Sequence, residues 1–241
     1  MSKLGILFLG SAALVFGGGI GPDINSLGSC DSVSVLSDLT GSAGCAVAPF
    51  SIFNASFTPA PGSPATSADD IGVGIGYDGS SLAINFSGLF LFPLETTDPP
   101  GYAEYVIRYT IDPPPPVILG FDMDMDTGEG GEFRFASPLL EALLVLPSVE
   151  VFTELCVGDD FTRDQCEGTS YGPLVVNPVN MFAGVSFAEP TNWVSVIHRI
   201  RVTQDVLLNL NARAPLAGIP EPGTWALMGS GILLLALRRR R

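Results

Sequence analysis

The chain has 241 residues, 46% of them hydrophobic, with 28 Gly and 20 Pro, a size and composition suited to one sizeable β-rich domain. Only 15% of residues are charged, and the formal net charge is −14. Five of the 11 basic residues, Lys3 and Arg238 to Arg241, lie at the extreme ends; between Pro22 and Ile219, 24 acidic residues against six arginines leave a net −18, a field that repels nucleic-acid phosphates and anionic lipid and excludes a nucleic-acid-binding role.

At the N-terminus, Lys3 precedes an uncharged apolar run, Leu4 to Phe16 (LGILFLGSAALVF), which is followed by the helix-breaking GGGIGPD. This layout predicts a secretory signal peptide over residues 1–21, helical, with Lys3 on the cytoplasmic side. The competing readings are an uncleaved anchor or a buried core helix. At roughly 20 Å the run is short for a hydrocarbon core of about 30 Å, and no A-x-A cleavage motif follows it.

The body, residues 22–217, opens with a predicted helix over Asp31 to Leu39, capped by Asp31 or Ser32. Strands are expected at 45–57, 70–77, 81–92 and 102–111. In LGFDMDMDTGEGGEFRF, Phe121, Met123 and Met125 alternate with Asp122, Asp124 and Asp126; past a Gly-rich turn, Phe133 and Phe135 alternate with Glu132 and Arg134. That pattern is a hairpin with one apolar face. Residues 137–147 suit helix or strand, with strand favoured, and 149–157 and 174–187 read as strands. Val194, Val196, His198, Ile200 and Val202 share one face of a further strand. Turn signals (TPAPGSP, TTDPPG, DPPPP, NPVN and AEP) separate these elements. About ten short strands of this kind predict an all-β fold, an antiparallel β-sandwich of jelly-roll type.

The four cysteines admit three pairings; their spacings favour Cys30 with Cys45 and Cys156 with Cys166, and disulfides require an oxidising compartment. No C-x-x-C occurs, and with a single histidine there is no zinc set. No catalytic set is expected: His198 is in phase with an apolar face, so a packed core histidine is the expectation, and G-x-S-x-G is missing. Asp122, Asp124 and Asp126 resemble the start of an EF-hand loop, but position six is Thr127 and position twelve is Phe133. Alternation would aim the three outward in a row, leaving Asp126, Glu129 and Glu132 around the turn as the weak calcium candidates; no metal or cofactor is otherwise expected. Gly74, Gly76 and Gly79 fit G-x-G-x-x-G but precede a β pattern, not the helix a dinucleotide needs. Adjacent Asp69–Asp70 and Asp159–Asp160 invite a glycosidase reading, although neighbours in sequence usually point apart.

The chain ends IPEPGTWALMGSGILLLALRRRR, residues 219–241. Pro222 to Leu237 is uncharged, and its 16 residues span roughly 24 Å as a helix, which snorkelling arginines extend toward the width of a bilayer. The arginines hold their end in the cytoplasm. Pro220 and Pro222 keep the preceding tripeptide extended. Pro-Glu-Pro, Gly-Thr-Trp-Ala-Leu-Met, an apolar helix and an arginine cluster, in that order, resemble the PEP-CTERM protein-sorting signal. The resemblance implies recognition of Pro220, Glu221 and Pro222 by an exosortase, a membrane processing enzyme. It also implies a transient transmembrane helix over Trp225 to Leu237 and a membrane stop at Arg238, Arg239, Arg240 and Arg241. The stretches CDSVSVLSDLTGSAGCAVAPFSIFNASF and ELCVGDDFTRDQCEG resemble recurring pieces of secreted PEP-CTERM proteins, to which no activity attaches.

The expectation is therefore a non-enzymatic protein exported through the translocon, processed by an exosortase and kept at the surface or in the polysaccharide matrix of a Gram-negative-type bacterium. Its body would be structural or adhesive. The alternative is a lectin-like carbohydrate-binding module, calcium-assisted or not, using aromatics such as Tyr102, Tyr105 and Tyr171.

Overall fold

A computed structural model of the protein describes residues 22–59, 66–92, 102–112, 118–127 and 149–216. The expected signal helix, the second strand of the 118–135 hairpin, residues 137–147 and the C-terminal transmembrane helix lie outside these residues. No helix among the described residues is long and apolar enough to cross a membrane.

In chain order the elements are β1 (Gly28–Ser29), α1 (Leu36–Thr40), β2 (Cys45–Val47), β3 (Phe50–Thr58), β4 (Ile71–Tyr77), β5 (Ser81–Phe90), β6 (Ala103–Asp112) and β7 (Ile118–Thr127). There follow β8 (Val149–Val157), β9 (Phe161–Thr162), β10 (Gln165–Cys166), β11 (Thr169–Val176), β12 (Phe182–Thr191), β13 (Val194–Val202) and β14 (Val206–Pro215). Among the described residues they form a seven-stranded sheet, β1-β2-β3-β6-β13-β8-β11, a five-stranded sheet, β12-β7-β14-β5-β4, and the small hairpin β9/β10. Every pairing is antiparallel except the short β1/β2 contact. The protein is thus all-β, as its alternation predicts.

The two sheets face each other across one core. Aromatic pairs bridge them: Phe50 with Tyr77 at 5.2 Å, Phe90 with Tyr105 at 5.3 Å and Phe86 with His198 at 5.8 Å between ring centres. The inward positions of β6 (Tyr105, Ile107, Tyr109, Ile111) and β13 (Val194, Val196, His198, Ile200, Val202) are buried and run in register. Met123 and Met125 are buried on β7 while Asp122 and Asp124 are only partly covered, so period-two alternation locates the core here.

Elsewhere the pattern misled. The predicted helix at 31–39 is a 3-10 turn at Cys30–Ser32 followed by α1. Asp31 and Ser32 belong to the turn, and it is Asp38 that accepts hydrogen bonds from the Ser34 and Val35 amides (3.0 and 3.2 Å) to start the helix. The expected strand 174–187 is two strands in different sheets. Asn177 accepts from the Val179 and Asn180 amides (3.0 and 2.9 Å), and this side-chain turn reverses the chain. The run 45–57 is likewise divided into β2 and β3.

β3 carries a bulge that its spaced phenylalanines conceal. Phe53 pairs with Thr110 and Ser56 with Arg108, so Asn54 and Ala55 together oppose one residue, Tyr109. Asn54 takes a left-handed conformation (φ 53°). The extra residue changes the phase: Phe50, Ile52 and Phe57 pack on the core, whereas Phe53 meets Trp193 at 5.3 Å.

Candidate functional site

His198 sits where β13 faces the other sheet, fully buried. Its Nδ1 lies 2.7 Å from the Thr153 hydroxyl and its Nε2 3.0 Å from the Tyr109 hydroxyl. Burial without a charged partner pushes its pKa down to about 3, so it is neutral near pH 7, and it pushes the Tyr109 phenol up. With both nitrogens engaged and no access to solvent, His198 packs and orders the core, as its phase predicts.

Asp122, Asp124 and Asp126 lie on the outer side of β7, in a row rather than converging. Asp124 accepts from Asn211 Nδ2 (2.7 Å) and pairs with Arg213 (3.6 Å), and Asn85 donates to the Asn211 carbonyl (2.5 Å), giving a polar ladder across β5, β14 and β7. Among the described residues no three acidic, histidine or cysteine side chains are placed to hold a metal. Glu129 and Glu132 lie outside the described residues. Gly74 and Gly76 are within β4, and Gly79 (φ 91°) turns the chain into β5 rather than into a helix.

Both expected disulfides are formed, Cys30–Cys45 and Cys156–Cys166, with Cα separations of 4.9 and 5.2 Å. The second encloses the β9/β10 hairpin, whose residues reach onto the outer side of the seven-stranded sheet. There Asp160 Oδ1 accepts from Thr110 Oγ1 (3.0 Å), Trp193 Nε1 (3.3 Å) and Ser195 Oγ. Asp164, at the tip, binds Arg108 (2.5 Å) and Arg199 (3.2 Å), and Arg199 and Arg201 both reach Glu104 (3.5 and 2.7 Å). The hydrogen bond from Arg108, seconded by Arg199, holds the Asp164 carboxyl below its ordinary range. Beside this network lies a cleft of ≈ 240 Å³ lined by Asn54, Arg108, Thr110, Asp160, Phe161 and Ser195, with Ile197 also on its wall.

Sequence reasoning placed Asp159 and Asp160 as an adjacent acidic pair, and the structure separates their tasks. Asp160 anchors to the sheet, while Asp159 is exposed and accepts from the Asp160 amide (2.9 Å). Asp70 binds the Ser67 amide (2.9 Å) and hydroxyl (2.8 Å). Of the tyrosines expected to offer a sugar-binding surface, Tyr105 is withdrawn into the core, while Tyr102 and Tyr171 are partly exposed. Tyr171 packs on Phe187 at 5.0 Å, and Tyr102 lies beneath the Arg201 guanidinium at 4.8 Å. The cleft was not foreseen, since Thr110, Ser195, Asn54 and Asp160 are far apart in sequence; the only local signal was the Cys156–Cys166 spacing.

Neither the comparison with curated proteins nor that with solved structures gave a match. The family model for the PEP-CTERM protein-sorting motif matches residues 218–241, a span that contains Pro220, Glu221, Pro222 and the four terminal arginines. The chain thus carries the PEP-CTERM protein-sorting motif at its C-terminus, which implies export, transient anchoring in the membrane and processing by an exosortase.

Proposed function

We propose that this is an exported surface or matrix protein whose C-terminal tail is removed by an exosortase and whose β-rich body acts without catalysis, in a structural or adhesive role. Residues 1–21 serve as signal peptide, residues 22–217 as the secreted domain and residues 219–241 as the sorting signal. Within the signal, Pro220, Glu221 and Pro222 form the recognition tripeptide, and Arg238 to Arg241 stop translocation at the cytoplasmic face of a Gram-negative-type inner membrane. The single observation that carries this reading is the sorting motif at residues 218–241.

Two disulfides, which persist in oxidising compartments, support export. The acidic, arginine-poor body suits a soluble extracellular life beside neutral polysaccharide. The order β6-β13-β8-β11 set against β12-β7-β14-β5, with the chain crossing between sheets at most connections, supports jelly-roll winding. A non-catalytic body is supported by the position of His198, which has no route to a substrate.

Intact-mass measurement of the protein recovered from cells tests the proposal. The expected mature species lacks both the first 21 residues or so and the arginine-bearing tail. Secreted protein that keeps Arg238 to Arg241, or cytosolic protein with free thiols, overturns it. A second reading, a carbohydrate-binding body, is favoured by one observation: the polar cleft at Asp160, which concentrates donors and acceptors beside an aromatic ring.

A further inference from the structure

We propose that the cleft between the Asn54 bulge and the Cys156–Cys166 hairpin is a subsite for one neutral sugar residue, an inference that rests on the carbohydrate-binding reading and gives it a location. The key group is Asp160. Its Oδ1 takes three hydrogen bonds, from Thr110, Trp193 and Ser195, and is thereby locked. Its Oδ2 receives no hydrogen bond from any described residue, although the side chain lines the cleft. A carboxylate held rigid by one oxygen and open at the other is an acceptor prepared for hydroxyl donors.

Asn54 stands on the other side. It holds a left-handed conformation that costs energy for a residue with a side chain, its amide makes no hydrogen bond among the described residues, and it is exposed. The bulge at this point turns the residue out of the β3 ladder and against the cleft. Arg108 spends one amino group on Asp164 and keeps further N–H donors. Phe161 adds an apolar wall of the kind on which a sugar ring packs.

Charge selects the ligand. An anionic sugar would meet the Asp160 carboxylate and a body of net −18, whereas a bare cation would meet the Arg108 guanidinium and only one carboxylate oxygen. A neutral polyol meets neither penalty. Adjacent hydroxyls can donate to Asp160 Oδ2 while accepting from Asn54 and Arg108. The volume of ≈ 240 Å³ lies below the roughly 300–1,000 Å³ of drug-sized sites, which suits one ring of a chain.

The test titrates the disulfide-intact mature protein with methyl glucoside, methyl galactoside, methyl mannoside and N-acetylglucosamine, with glucuronate as the anionic comparison, by saturation-transfer NMR. At least one neutral sugar is expected to bind and glucuronate to bind less. Asp160→Asn retains an oxygen for the Thr110, Ser195 and Trp193 donors but replaces the open oxygen with an amino group, so affinity should fall about tenfold. Phe161→Ala should weaken binding as well and decides the matter alone if Asp160→Asn does not fold. Arg213→Gln, on the other sheet, should leave binding unchanged. Binding undiminished in both cleft variants overturns this site while the carbohydrate reading survives. A preference for glucuronate overturns the neutral-sugar assignment while the carbohydrate reading survives; no binding of any of these sugars overturns both.

Discussion

On the outer side of the seven-stranded sheet, Ile197 is fully buried, although alternation along β13 turns it away from the core. On the outer side of the five-stranded sheet, Leu207 and Leu89 are cross-strand partners and remain 46% and 47% exposed. The difference is the disulfide-closed hairpin. It brings Asp160 and Asp164 onto one sheet, where two arginines, two hydroxyls and an indole N–H meet them. Among the described residues the other sheet carries the Asn85–Asn211–Asp124 ladder and the Arg213–Asp124 ion pair, made from its own strands. A sheet face alone presents a flat row of side chains, whereas a segment folded over it supplies walls, and walls are what turn polar residues into a cleft.

The largest expected effect lies between the faces and calibrates both. His198 has a folded-state pKa of about 3 against an ordinary 6.5, so the folded protein resists protonation. Stability is therefore full above pH 6.5 and is lost as pH falls toward 3, at up to roughly 1.4 kcal/mol per unit. Asp78, held at about 2 mainly by the Ser80 amide, adds to the loss only below the ordinary carboxylate range near 3.8. Chemical denaturation from pH 7 to pH 5 should show the slope, and His198→Gln should reduce it by about one proton. An unchanged slope would show that His198 titrates normally.

Next in size is the hairpin. Cys156→Ser combined with Cys166→Ser should cost about 2–4 kcal/mol and shift the fluorescence of Trp193, whose indole binds Asp160. Stability within error of the parent would mean that the ionic contacts hold the hairpin unaided and that the disulfide is not what separates the two faces.

The smallest effects compare like with like. Asp160→Ala strips the acceptor from Thr110 and Ser195, both buried, and should cost about 1–3 kcal/mol. Asn211→Ala on the open face removes hydrogen bonds that water can replace and should cost less than about 1 kcal/mol. Equal costs in thermal denaturation would erase the distinction drawn between a covered and an open face.

The sequence by itself determined the elements whose cause is local. Alternation at Phe121 to Asp126 and at Val194 to Val202 placed those strands and their buried faces, because successive side chains in a strand point to opposite sides. The ordered string of Pro-Glu-Pro, apolar run and arginines disclosed the sorting motif, because a signal read by another enzyme must be carried in contiguous residues. In β14 the apolar run Val206–Leu207–Leu208 blurs the alternation that the burial pattern follows from Val206 to Pro215, so that strand is hard to read from residue types alone. Only the tertiary structure decided which strands share a sheet, that the Asn54 bulge reverses the phase of β3, and that Tyr105 lies in the core. It alone joined Asn54, Thr110, Asp160 and Ser195, since their meeting depends on cross-strand register and on a hairpin folded over a sheet, neither of which any short stretch of chain contains.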